Sequence, residues 1–261
     1  MINHEGHEGH EGKRNEWGAV DGVVKVISKI WRVWAVGLLV VLGPAAVADL
    51  TGKVVYDGKP AAPKKIDMRT NPECVKLHAD PVFENIWIVG ENGALKNAVV
   101  WVKDGNKLGG EAKNGPVVLD QNGCMYEPRV VAVMVGQELR ARNSDPCMHN
   151  VHGLPKENGE FNIAQNQKGQ EDKLDATKFA EIFTVTCNVH KWMNAWVIVL
   201  DHPFFAVTDE KGEFAIKGLK DGKYTLVCWH EQAATPEAQI EVKEGKATVE
   251  FKVGPKKSTT K

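Results

Sequence analysis

Cys187, His190 and Met193 place a thiolate, an imidazole and a thioether in one stretch, Cys187-Asn188-Val189-His190-Lys191-Trp192-Met193. These soft-to-borderline donors are the types that a mononuclear copper centre of the electron-transfer kind combines. Such a centre needs a second imidazole from elsewhere in the chain. It is sought upstream, in Asn143-Ser144-Asp145-Pro146-Cys147-Met148-His149-Asn150-Val151-His152. On a strand, residues 149 and 151 share a face while 152 points away, which favours His149 over His152. A His2Cys plane with a weak axial Met describes a blue-copper centre. Two other readings of the motif stay open: Cys187 in a disulfide with His190 and Met193 merely packed, or a zinc site, for which a thioether is a poor ligand.

Strand ends must hold these donors. Past residue 49 the periodicity is of strands, and no long helical period follows. Residues 182–187 and 195–200 read as strands flanking the Cys-His-Met loop. In residues 138–143, Leu139, Ala141 and Asn143 alternate with charged side chains, the mark of a half-buried antiparallel strand. Further strands are expected at 50–56, 98–103, 117–119 and 130–135, punctuated by Asp57-Gly58, Asp104-Gly105 and Asn122-Gly123. Pro60, Pro63, Pro72 and Pro81 predict an irregular connection. Residues 155–178 are polar and predict a long loop, with a turn of helix near 174–179. Short strands at 205–208, 213–217, 223–229, 239–242 and 248–253 form a second small all-β unit with tight hairpins.

The two ligand segments resemble the cupredoxins, amicyanin-like and plastocyanin-like members above all. The match lies in Cys187-x2-His190-x2-Met193 and in the Asn-x5-His-Asn-Val-His context of Asn143, His149, Asn150, Val151 and His152. The resemblance implies a Greek-key β-sandwich and one type 1 copper held by His149, Cys187, His190 and Met193. It also implies a hydrogen bond from the Asn150 backbone N–H to the Cys187 sulfur, which tunes the metal from outside the ligand set. Members often carry proline where Lys191 stands here, a departure that touches the stiffness of the loop. Multicopper oxidases flank the thiolate with histidines, and binuclear centres need a second nearby cysteine. Thr186 and Asn188 supply neither, so the expectation is an electron carrier and not an enzyme.

Thr208-Asp209-Glu210-Lys211-Gly212-Glu213-Phe214, Gly218-Leu219 and Asp221-Gly222-Lys223-Tyr224-Thr225-Leu226 are similar to carboxypeptidase-regulatory-like, transthyretin-type sandwiches. Residues 50–60 resemble the opening strand of that family, so the N-terminal strand is expected to complete the C-terminal sandwich. The resemblance implies a non-catalytic spacer or binding module. The fold class expected for the whole is therefore all-β, a cupredoxin sandwich plus a smaller transthyretin-like one. The expected organisation is a leader and secretory signal at 1–48, an N-terminal strand and irregular extension at 49–96, and the cupredoxin domain at 97–203. The carboxypeptidase-regulatory-like domain follows at 204–254, with a disordered tail at 255–261.

Export rests on Lys25, Lys29 and Arg32, the apolar run at 33–42, the Gly43-Pro44 break and Ala46-Val47-Ala48 before Asp49. A cleaved signal and an uncleaved anchor both put the rest outside the cytoplasm, periplasmic or otherwise secreted. His4, His7 and His10 in the leader receive no function. Of five cysteines, Cys74 and Cys124 are the expected disulfide, and Cys147 and Cys228 are read as free thiols. A net charge of −1 offers nothing to nucleic acid, and a membrane enters only if the N-terminal segment is retained. The expected function is the transfer of single electrons to or from a redox protein, such as a cytochrome, dehydrogenase or oxidase. That partner would dock over a solvent edge of His190, framed by Pro146, Met148 and Trp192. The alternatives are a copper carrier or reservoir, and an interaction module, for carbohydrate or a cell-surface partner, with structural copper.

Overall fold

Leu139, Ala141 and Asn143 are buried while Arg140 and Arg142 face outward, as their alternation predicts. The same period builds the rest of the chain in a computed structural model that describes residues 49–256. The leader and signal at 1–48, and residues 257–261 of the tail expected at 255–261, lie outside the described residues, while Pro255 forms a bridge with Ala233. In chain order, β1 (Asp49–Tyr56) leads through the short helix α1 (Pro72–Lys76) to β2 (Val99–Val102) and β3 (Val117–Gln121). There follow β4 (Tyr126–Glu127), β5 (Val130–Met134), β6 (Leu139–Asn143), β7 (His149–Gly153), β8 (Phe161–Gln165) and β9 (Glu171–Leu174). The strands β10 (Glu181–Thr186) and β11 (Asn194–Leu200) flank the Cys-His-Met loop. Last come β12 (Phe205–Val207), β13 (Glu213–Lys217), β14 (Gly222–Trp229), β15 (Glu237–Val242) and β16 (Lys246–Val253).

Two sandwiches result. In the first, the sheet β5-β11-β10-β7-β8 and the sheet β4-β3-β6-β9 share a core of Leu119, Leu139, Val151, Phe183 and Val197. In the second, β13-β1-β16 and β12-β2-β14-β15 share a core of Leu50, Val100, Phe214, Leu226 and Phe251. β1 lies between β13, antiparallel, and β16, parallel, so the N-terminal strand is central to the C-terminal sandwich. Glycine is required at residue 52 of β1, because a Cβ there would stand 2.5 Å from the Val249 carbonyl oxygen.

Two expectations are corrected. The strand at 98–103, placed in the first domain by its position after residue 97, instead pairs with β14 and β12 in the second sandwich. Val100 and Val102 face the second core while Val99 lines the contact between sandwiches. A strand apolar on both faces carries no pattern that says which sheet it joins. Residues 155–178 are not one long loop, since they contain β8 and β9. Phe161 and Ile163 supply the only large apolar groups of β8, and its buried residue is Gln165, satisfied by Ala141 O and Asp172 Oδ2. A polar side chain turned inward hides a strand from a hydrophobic-period reading.

The sandwiches meet through Val99, Val130, Ile198, Leu200, Phe205 and Trp229, with the Trp196 and Trp229 rings edge to face at 5.3 Å. Below this seam His230, 1% exposed, stacks on Trp87 at 4.9 Å. Burial pushes its pKa from 6.5 to about 4, against the opposing pull of Glu231. Between those values the unfolded chain binds more protons than the folded one, so stability is full above pH 6.5 and falls as acid is added. From pH 7 to pH 5 this group should cost about 2 kcal/mol, taking 1.36 kcal/mol per pKa unit. His230→Phe keeps an aromatic ring on Trp87 and should remove that much of the pH dependence, read from urea midpoints at the two pH values.

Candidate metal centre

The loop between β10 and β11 is closed at its base by Cys187 N–H to Met193 O, 3.1 Å, and by Met193 N–H to His190 O, 2.9 Å. These bonds turn Cys187 and His190 toward one point. The start of β7 brings His149 to the same point, and one ligand atom from each of His149, Cys187 and His190 lies within 4.8 Å of the others. All three are buried, and Met193 on the same loop is wholly so. The structure therefore gathers the expected Cys and two His; it leaves His152 outside, bonded to Asn188 Oδ1 and Glu160.

The tautomers follow from what each ring touches. His149 Nε2 lies 2.8 Å from Asp145 Oδ2, and His190 Nε2 lies 3.3 Å from Cys74 Sγ. Each remote nitrogen thus has an acceptor for its N–H, and the two Nδ1 atoms face each other at 2.9 Å. At that distance the two Nδ1 atoms share a proton beside the Cys187 sulfur, and a metal ion bound at this point would take its place. Beside them, burial pushes the Cys187 thiol up, but hydrogen bonds from His149, His190 and the Asn150 and His190 backbone N–H groups outweigh it and hold it at about 5. The expected N–H of Asn150 thus reaches the sulfur. With the shared proton displaced, the Cys187 sulfur and the two Nδ1 atoms are a donor set that fits a soft-to-borderline ion.

The supporting shell contains residues that the motif did not reveal. Asp145 accepts the N–H groups of Gly123 and Cys124, 2.7 Å each, and its own N–H is held by Asn143 Oδ1. Burial raises its carboxyl, but the His149 bond and these two N–H groups lower it further, and the net is downward. A carboxylate on the far nitrogen of a ligating histidine fixes the ring and raises its basicity. The sequence signal was the Asn143-Ser144-Asp145 turn pattern, in which Asn side chains commonly bind the backbone two residues on. Tyr126 Oη donates to Asn150 O at 2.7 Å, joining the two ligand segments from β4. Asn150 Oδ1 accepts from Asn188 N–H, which does the same from β7.

His190 has no open edge. Cys74, from α1, is joined by a disulfide to Cys124, as expected, and its sulfur covers the ring, which is 3% exposed. Trp192 closes the side, its ring 5.2 Å from His190 and its Nε1 donating to Cys124 O at 2.9 Å. The expectation of a solvent edge on His190 is corrected. The proline-rich extension, whose path the sequence left unstated, folds back over it. Pro146, Met148 and Val189 remain exposed around this cap. Cys147 and Cys228 are free, as expected.

Fold and site together define an all-β chain of two sandwiches, the first of which carries a buried Cys-His-His cluster. Residues 176–250 match the family model described as polysaccharide lyase family 4, domain II. That match covers well under half of the chain, and its description differs from the carboxypeptidase-regulatory-like family expected for the C-terminal unit. No curated protein matches. Among solved structures, the chain is similar to the Cu-containing nitrite reductase of Thermus scotoductus SA-01, at 16% identity and TM-score 0.32, covering 36% of this chain and 24% of that one. It is also similar to a reduced amicyanin variant, at 27% identity and TM-score 0.30, covering 34% and 87%. A Cu(I) form of another amicyanin variant gives 22% identity and TM-score 0.30, covering 39% and 98%. The chain spans about a quarter of the nitrite reductase's length.

Proposed function

We propose that this is an exported cupredoxin-type protein that holds one mononuclear copper and passes single electrons to and from a redox partner, without catalysing a reaction of its own. The observation that carries this is the convergence of the His149 and His190 Nδ1 atoms beside the buried Cys187 sulfur. Copper bound there supplies a one-electron couple. The chain's own residues hold the donors in place: Asp145 orients His149, Cys74 takes the far N–H of His190, and the Asn150 N–H bonds the sulfur. Met193 would be the weak further ligand that the cupredoxin resemblance implies. Burial of the whole set limits rearrangement when the ion changes charge. The disulfide supports an oxidising compartment.

The covered edge of His190 favours a second reading, a closed copper store. One experiment separates the two. Copper-loaded protein is examined by visible absorption and by voltammetry. An intense thiolate-to-copper band with reversible one-electron cycling is the expected result. Binding of the reduced ion alone, without colour or cycling, would overturn electron transfer in favour of the store.

A further inference from the structure

Next to the Cys187 centre lies a second group of sulfur atoms. Cys147 Sγ is 3.7 Å from Cys124 Sγ, which is bonded to Cys74 Sγ. Cys124 Sγ, in the turn before β4, thus adjoins both a sulfur of the α1 helix and one of the turn before β7. Each segment is also held without the disulfide. His78 Nε2, just past α1, bonds Gly123 O at 2.7 Å, and Ile66 and Met68 of the extension are buried in the first core. Asp145 holds Gly123 and Cys124 by their N–H groups, and Asn143 Nδ2 donates to Cys147 O at 2.9 Å.

We infer that these cysteines form a second metal site that exists only when the disulfide is reduced, and that it takes a monovalent copper ion on Cys74, Cys124 and Cys147. A dithiol reductant would supply two electrons and two protons. The Cys74–Cys124 bond breaks to two thiols while the reductant closes to its own disulfide. As the ion binds, the thiol protons pass to solvent and three copper–sulfur bonds form, with no further change of oxidation state. Thiolates favour soft ions, Cu(I) and zinc among them, and three sulfurs fall short of the four ligands that a structural zinc takes. With the Cys124 sulfur next to both others and the backbone held by other bonds, side-chain turns of Cys74 and Cys124 after reduction would bring the three around one ion. His190 Nε2, 3.3 Å from Cys74 Sγ, would donate its N–H to a ligand of this site while its Nδ1 faces the other centre.

The site stands apart from the reading of the Cys187 centre, and the test keeps them apart. Full-length protein and its Cys187→Ser variant are titrated with Cu(I) under argon, with and without prior treatment by a phosphine that is then removed. Phosphine should add one tightly bound copper per chain in both proteins, with three sulfur neighbours by X-ray absorption in Cys187→Ser. Cys147→Ser leaves the disulfide intact. After phosphine, its added copper should show two sulfur neighbours and bind about a hundredfold more weakly, since losing a ligand exceeds the loss of an outer-shell partner. No added copper after phosphine, or an added copper that Cys147→Ser leaves unchanged, would overturn the inference. Near-ultraviolet circular dichroism of each protein shows that the fold is retained. Should phosphine add copper to a chain that never shows the visible band, the three-sulfur site stands and the electron-transfer reading falls; the reverse result separates them the other way.

Discussion

Cys187→Ser is expected to abolish the intense visible band proposed for the copper-loaded protein, while Asp145→Asn should keep the band and weaken copper binding about 10- to 100-fold. The two variants ask different questions of one site. Serine removes the thiolate whose charge transfer gives the colour, and leaves two imidazoles that hold an ion poorly on their own. Asparagine keeps the His149 ring near its place but loses the carboxylate that takes its Nε2–H at 2.8 Å. An amide in that position has one acceptor oxygen, where Asp145 uses two oxygens for Gly123, Cys124 and His149. His149 then loses both basicity and a fixed tautomer. Copper affinity measured against a competing chelator, with the visible spectrum alongside, checks both. A colourless Asp145→Asn protein, or a coloured Cys187→Ser protein, would refute the assignment.

The largest effect on stability is expected at the seam between the sandwiches. Arg129 and Glu231 form a two-pronged ion pair, Nε to Oε1 at 2.5 Å and Nη2 to Oε2 at 2.8 Å, each side chain only 4% exposed. Trp196 Nε1 also donates to Glu231, and Arg129 reaches Asn85 and Asn194. Arg129→Met strands the Glu231 carboxylate among apolar groups and should cost about 3–5 kcal/mol. The double variant Arg129→Met/Glu231→Leu removes both charges and should regain most of that loss. It should stay about 1–3 kcal/mol below the parent, because the Trp196 N–H is left without its acceptor. Urea midpoints of the parent, the two single variants and the double variant give these values. If the double variant is no more stable than Arg129→Met, the pair is not what the single change disrupts. Asn194 follows Met193, so the same arginine steadies the end of the ligand loop.

The candidate donors were legible because they are local. Cys187, His190 and Met193 lie within one turn of chain, and His149 sits in a motif that a strand period can orient. The outward-facing arginines of β6 and the inward Phe214 and Ile216 of β13 were legible for the same reason: alternation is written residue by residue. What failed was membership. β2 has apolar side chains on both faces, and nothing in its six or so neighbouring residues records that β14 lies 120 positions on. β8 failed because Gln165, its inward residue, is polar and paired with Gln121 and Asp172 from other strands.

The sequence by itself determined the donors, their types and the strands that carry them, since these follow from residue chemistry and short-range period. It also marked Cys74 and Cys124 as partners. Only the tertiary structure decided that this disulfide lies over His190, that Asp145 turns His149 toward the centre, and that Cys147 stands beside Cys124. The first and last are contacts between segments tens of residues apart, and Asp145, four residues from His149, is held in place by the distant Gly123 and Cys124 N–H groups. Which side of an imidazole is left free depends on what packs against its other nitrogen, and that is set by the meeting of loops rather than by spacing along the chain.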